Sequence, residues 1–138
     1  MQATMQATTP AMQVSGVRLW AGRISSALVI LFMIFDGIGK ALRLAPVTES
    51  MVALGYPVGA TFGIGALALA CTALYALPRT APLGALLLTG FLGGVLATHV
   101  HAASPTFSFV FALALGVLLW VGLYLRDNRL RALLGAAR

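Results

Sequence analysis

The stretch FMIFDGIGKAL, residues 32–42, places an acid and a base, Asp36 and Lys40, inside an otherwise apolar segment. Charges are scarce in this chain, at 9% of its 138 residues, so this pair needs a physical reason. Residues four apart share one face of an α-helix, and pairing with Lys40 offsets part of the cost of placing a carboxylate in apolar surroundings. Two interpretations stay open: a passive salt bridge, or the polar part of a functional site.

A second set of reactive side chains lies in the loop that follows and in the later run THVH. A histidine close to a carboxylate is suited to acid–base catalysis, so we expect Asp36 and His99 to be the catalytic residues. The residues that we assign to substrate binding are Lys40, Glu49, Tyr56, Thr98 and His101.

The two histidines are not equivalent. His99 and His101 are two positions apart, which is about 200° around a helix, so only one of them faces a given site. His99 is the deeper of the two in its apolar segment, which favours it as the partner of Asp36. No ligand spacing supports a metal site, and we assign no metal.

The composition indicates a membrane protein. Sixty per cent of the residues are hydrophobic and the mean hydropathy is +0.98, whereas soluble domains carry about 25% charged residues. The formal net charge is +6, but the basic residues lie at the ends of apolar runs and form no patch with aromatic residues, which argues against nucleic-acid binding. A single cysteine, Cys71, excludes an internal disulfide and dithiol chemistry.

Four apolar segments, each close to the length of about 20 residues that spans a bilayer, must position these side chains. They are residues 17–44, 58–77, 83–102 and 107–125. Because they are apolar all round and joined by short connections, we predict an all-α membrane protein, an antiparallel bundle of four transmembrane helices. The predicted organisation is a disordered polar leader over 1–16, the transmembrane domain over 17–125, and a basic amphipathic cytoplasmic tail over 126–138.

The basic residues predict the orientation of this bundle. The side that holds both termini and the turn 78–82 carries Arg18, Arg23, Arg79, Arg126, Arg129, Arg131 and Arg138, whereas the other side carries Lys40 and Arg43. Seven against two predicts that both termini are cytoplasmic, with the chain in the inner membrane of a bacterium. Asp36 and His99 then share the outer leaflet.

Two GxxxG spacings predict close helix contacts. Gly59 with Gly63 and Gly90 with Gly94 would let neighbouring helices approach, and we expect both pairs in the bundle core.

Four segments in order resemble the DoxX-like family of small four-helix membrane proteins: LFMIFDGIGKALR, VTESMVALGYP, TALYALPRTAPLGALLLTGFLGGVLATH and GVLLWVGLYLRDNRLRALL. The resemblance covers Trp20 to Leu134. Positions that match the family pattern are Phe35, Asp36, Gly37, Lys40, Leu54, Gly55, Tyr56, Pro57, Thr98 and His99. The chain departs from the pattern at His101, where relatives often have arginine, and at Ala103, where they have glycine.

Three functions remain open. The resemblance implies a subunit of a quinone-linked redox system, with a quinone as ligand and an oxidoreductase as partner, although no cofactor is evident in the sequence itself. The polar residues favour an acid–base enzyme that isomerises, cyclises or hydrolyses a lipophilic small molecule. The alternative is a non-enzymatic scaffold, small transporter or partner subunit, which at this length would form a homo-oligomer to build a pathway.

Overall fold

A computed structural model describes residues 9–136 of the chain, with side chains over 16–135. Within the described residues all regular secondary structure is helical, without strands, as predicted. The helices are α1 (Thr9–Ala41), α2 (Ala45–Ala53), α3 (Ala60–Ala76), α4 (Ala81–His101), α5 (Thr106–Arg126) and α6 (Asn128–Ala136). Helices α1, α4 and α5 are long and apolar enough to cross a membrane, whereas α3, with 17 residues, is a shorter apolar helix.

The helix ends differ in part from the expected boundaries. Helix α1 begins at Thr9, so the second half of the stretch predicted as a leader is helical, while residues 1–8 lie outside the described part of the chain. The tail also contains a helix, because the Asp127 carboxylate accepts hydrogen bonds from the backbone N–H groups of Arg129 (2.8 Å) and Leu130 (3.3 Å). Such side-chain bonds satisfy the first free N–H groups of a helix, here α6.

Four helices surround the core. Helix α1 packs against α3 and α5, and α4 packs against the same two helices, which closes a ring. The core side chains come from all four members of this ring: Val29, Met33, Ala68, Tyr75, Leu88, Leu92, Leu115, Leu119 and Leu123. Most other large apolar side chains of these helices face outward, as expected for helices in lipid.

Close helix contacts occur at glycines outside the predicted GxxxG pairs. A Cβ atom on Gly65 of α3 would lie 2.8 Å from the carbonyl oxygen of Gly37, and one on Gly122 of α5 would lie 3.2 Å from that of Gly22. The absence of side chains at these positions therefore sets the α1–α3 and α1–α5 spacing.

The prediction for the GxxxG pairs was wrong. A Cβ atom on Gly59, Gly63, Gly90 or Gly94 would meet nothing within 4 Å. The spacing places each pair on one helix face, but that face does not meet a neighbouring helix.

One end of the ring is closed by hydrogen bonds between helices, and we call it the sealed end. Here the Tyr75 hydroxyl donates to the carbonyl oxygen of Leu119 at 2.7 Å, so the Ser26 hydroxyl donates to Tyr75 at 3.0 Å. The Arg126 guanidinium donates to the Tyr75 carbonyl oxygen at 2.8 Å and lies 4.8 Å from the centre of its ring. These contacts join α1, α3 and α5 at a single residue, Tyr75.

Candidate functional site

The opposite end of the ring contains a cavity of about 650 Å³. It lies between the C-terminal parts of α1 and α4 and the N-terminal parts of α3 and α5, with α2 against it. Its wall is mainly apolar, and the polar or charged side chains in it are Asp36, Lys40, Ser50, Tyr56, Thr98, His99 and Ser108. The cavity is therefore an apolar space with a few polar groups, which is the usual composition of a small-molecule site.

The expected ion pair lies in the cavity wall. The Lys40 Nζ atom is 2.5 Å from the Asp36 Oδ2 atom, and the Lys40 side chain is only 13% exposed. The same ammonium lies 5.9 Å from the centre of the Phe91 ring on α4. Since each charge has its partner on the same helix, the pair forms without help from another element.

Tyr56 ties the turn after α2 to α4. Its hydroxyl is 2.7 Å from the Thr98 hydroxyl, which donates its own proton to the carbonyl oxygen of Gly94 at 2.8 Å. A threonine hydroxyl has one proton, so Tyr56 is the donor in the first bond. The turn itself depends on Gly55, whose φ of +93° disfavours residues with a side chain.

His99 differs from the other polar groups of the cavity. Its side chain lines the cavity, and its Nδ1 atom is buried without a hydrogen-bond partner among the described residues. Buried polar atoms are paired in the large majority of cases. The His99 imidazole therefore lies in the cavity wall with hydrogen-bonding capacity that no described residue uses.

Two of the expected site residues lie elsewhere. Glu49 is exposed on α2 and does not line the cavity. His101 is also exposed, and borders only a shallow neighbouring depression together with Tyr56 and Thr98. The structure thus brings Asp36, Lys40, Tyr56, Thr98 and His99 to one cavity and leaves these two outside it.

Comparison with protein-family models matches residues 24–122 to the DoxX-like family. The match extends over most of the chain. The chain belongs to the DoxX-like family. All the residues that line the cavity fall inside the matched region. Comparisons with curated proteins and with solved structures gave no match. With three helices of membrane-spanning length, this DoxX-like chain is an integral membrane protein.

The DoxX-like cavity has an aromatic wall that the sequence analysis missed. The Phe32 and Phe111 rings meet edge to face with centres 4.8 Å apart, and Phe107 stacks on Phe111 at 6.0 Å. Phe107 lines the cavity although it is 76% exposed, so the wall continues to the outer surface of the helices. The i, i+4 spacing of Phe107 and Phe111 was visible in the sequence, but nothing there distinguished it from other apolar spacings.

The ionisable side chains of the cavity differ in how they are paired. Within the described residues, no group of three or more His, Cys, Asp or Glu side chains is arranged to hold a metal ion. The Asp36 carboxylate is paired with Lys40, whereas the His99 side chain lines the cavity and its buried Nδ1 atom has no partner among the described residues.

Proposed function

We propose that this chain is an antiparallel bundle of four transmembrane helices that holds a lipophilic small molecule in the cavity. Both termini would lie on the cytoplasmic side of a bacterial inner membrane. The cavity would then open within the outer leaflet, where a lipophile reaches it from the bilayer.

Helix length and basic residues support this topology. Helix α3 has 17 residues, which corresponds to about 25 Å and to the lower end of the range for a spanning helix. It packs against α1 and α4, both long enough to span. Arg18, Arg79 and Arg126 lie in or beside the parts of the chain that form the sealed end, whereas Lys40 lies in the cavity wall and Arg43 follows it in the sequence. The positive-inside rule thus favours a cytoplasmic sealed end.

The observation that carries the proposal is the cavity itself, about 650 Å³ of mainly apolar space with a few polar groups in its wall. Small-molecule sites range from about 300 to 1,000 Å³ and share this composition. A molecule with a ring and an apolar chain is of suitable size and polarity.

Two neighbouring glycines allow a matched test. Gly94 lines the cavity and Gly93 does not, and a Cβ atom on either would meet nothing within 4 Å. The full chain and its Gly94→Leu and Gly93→Leu variants would be purified from membranes, and their bound small molecules extracted and quantified by mass spectrometry.

We expect a lipophile that co-purifies with the unmodified chain and with Gly93→Leu but is depleted in Gly94→Leu, because only the leucine at 94 fills the cavity. Equal amounts in all three, or none in any, would contradict the proposal. If the extracted molecule is a quinone and an oxidoreductase co-purifies, the site serves a redox complex.

Acid–base catalysis on the bound molecule is a second candidate function. It is favoured by the presence of Asp36 and His99 in one cavity wall, with the Nδ1 atom of His99 unpaired. His99 would transfer the proton, and the Asp36–Lys40 pair would stabilise charge that develops on the ligand. Incubating the extracted lipophile with the chain should give an isomerised, cyclised or hydrolysed product, and His99→Gln should abolish it. Recovery of unchanged lipophile would leave binding as the function.

A further inference from the structure

We infer that the cavity selects a neutral, ring-bearing lipophile that presents one hydrogen-bonding oxygen to His99. This inference rests on the proposed binding function and names the class of ligand that the site takes. It follows from three properties of the wall: its charge balance, a His99 imidazole without a hydrogen-bond partner among the described residues, and its aromatic surface.

The charges of the wall are balanced before any ligand arrives. Among the described residues that line the cavity, the formal charges are those of Asp36 and Lys40, which pair at 2.5 Å. Arg43 lies outside the cavity, against the Phe62 ring, and Glu49 is exposed. An anionic or cationic ligand would therefore bring an uncompensated charge into apolar surroundings, or would break the existing pair, and both are costly.

The hydrogen-bonding groups of the wall are also largely satisfied. Tyr56 donates to Thr98, which donates to a carbonyl oxygen of its own helix, and the Ser50 hydroxyl donates to the Pro46 carbonyl oxygen at 2.9 Å. The exceptions among the described residues are the Ser108 hydroxyl and the His99 imidazole, and the imidazole is the larger hydrogen-bonding group of the two. A neutral imidazole nitrogen either donates or accepts, so its complement is a carbonyl or hydroxyl oxygen on the ligand.

The remaining wall suits a flat ring. Phe32, Phe107 and Phe111 present ring faces and edges at 4.8 and 6.0 Å from one another, and an additional ring extends this arrangement favourably. Gly90 and Gly94 line the same cavity without side chains, so a flat molecule reaches the backbone of α4. A ligand with a polar oxygen and a ring would therefore meet a hydrogen-bonding group, His99, and an aromatic surface in the same cavity.

Three probes that share a ring and a chain separate these properties: 4-decylphenol, decylbenzene and 4-decylbenzoate. Each would be added to the purified full chain at one mole fraction in detergent at pH 7.5, and binding measured as ligand-induced stabilisation and by equilibrium titration. We expect 4-decylphenol to bind about three- to tenfold more tightly than decylbenzene, the usual effect of one hydrogen bond, and 4-decylbenzoate to bind most weakly.

His99→Ala should remove the advantage of 4-decylphenol over decylbenzene. His101→Ala is the matched control, since it removes the same side chain two positions further on, outside the cavity, and it should preserve that advantage. The comparison of the three probes on the unmodified chain remains decisive even if the His99 variant fails to fold.

The outcomes distinguish this inference from the function on which it rests. Equal affinity for 4-decylphenol and decylbenzene, or 4-decylbenzoate binding as tightly as 4-decylphenol, would overturn the inference but not the proposed function. If no probe binds, or if Gly94→Leu leaves the binding of all three unchanged, both are overturned.

Discussion

Polar side chains at the two ends of the helix ring make different kinds of contact. At the sealed end, Tyr75 joins three helices through its hydroxyl, its carbonyl oxygen and its ring. At the cavity end, the Asp36–Lys40 pair lies within one helix, and the Nδ1 atom of His99 has no partner among the described residues. The polar groups of the sealed end bond between helices of the ring. At the cavity end the Asp36–Lys40 pair leaves the space between helices open, and the Tyr56–Thr98 bond joins a turn, not a helix of the ring, to α4.

The glycines also differ between the two ends. Gly22 and Gly122 bring α1 and α5 together at the sealed end, whereas Gly90 and Gly94 border open space at the other. A glycine permits a close helix contact but does not create one. Whether the space is filled depends on the large side chains around it, and none lies within 4 Å of the Cβ position of Gly90 or Gly94.

The largest expected effect comes from breaking the ion pair at the cavity end. Lys40→Met would leave the Asp36 carboxylate without its partner in a mainly apolar wall and should cost about 2–3 kcal/mol of the free energy of unfolding, somewhat less than a fully buried pair. The measurement is unfolding in a graded detergent series. The double variant Asp36→Asn/Lys40→Met should recover most of the loss, and a double variant no more stable than Lys40→Met alone would contradict the pairing.

A slightly smaller effect is expected at the sealed end. A Cβ atom on Gly122 would lie 2.6 Å from the Ser26 Oγ atom, so Gly122→Ala should force α1 and α5 apart and cost about 2 kcal/mol. The matched control is Gly116→Ala on the same helix, where the nearest atom to a Cβ would be Leu92 Cδ1 at 3.9 Å. That change should be neutral or stabilising by up to about 1 kcal/mol, and equal stabilities for the two variants would disprove the contact.

Removing the Tyr75 hydroxyl tests whether the sealed end contributes to stability without affecting the cavity. Tyr75→Phe removes the donor to Leu119 and leaves the Ser26 hydroxyl, which is 2% exposed, without its acceptor. We therefore expect a loss of about 1–2 kcal/mol in the free energy of unfolding. Ligand affinity should stay unchanged, because Tyr75 does not line the cavity. A parallel loss of affinity would show that the two ends are coupled.

The smallest effect on stability is expected for the corresponding change at the cavity end. Tyr56→Phe removes a part-buried hydrogen bond to Thr98 and should cost about 0.5–1 kcal/mol. Because this bond ties the α2–α3 turn to α4, its loss should accelerate the exchange of 4-decylphenol, measured by stopped-flow displacement. An unchanged exchange rate would show that α2 does not limit access to the cavity.

Helix periodicity was enough to predict part of the site. The i, i+4 spacing fixed the Asp36–Lys40 pair, and the angular separation of His99 from His101 excluded one of them from any common site. Periodicity does not determine the rotation of a helix within the bundle, so the exposed position of Glu49 and the open space beside Gly90 were not predictable.

The aromatic wall and the sealed end depend on contacts between segments far apart in the sequence. Phe32 and Phe111, or Ser26 and Tyr75, become neighbours only after α1, α3 and α5 have packed. In an apolar chain each of these residues looks like its neighbours. The sequence therefore predicted the helices and the polar side of the cavity, but not the surface that completes it.

If the cavity binds a lipophile, the cavity end takes one up and the sealed end does not. Photolabelling of the membrane-embedded chain with a diazirine derivative of 4-decylphenol, followed by mapping of the labelled residues by mass spectrometry, distinguishes the two ends. We expect labels within 90–99 and 107–115 that excess 4-decylphenol suppresses, and no suppressible labels beside Tyr75. Labels spread evenly over the outward faces of the helices, unaffected by the competitor, would contradict binding in the cavity.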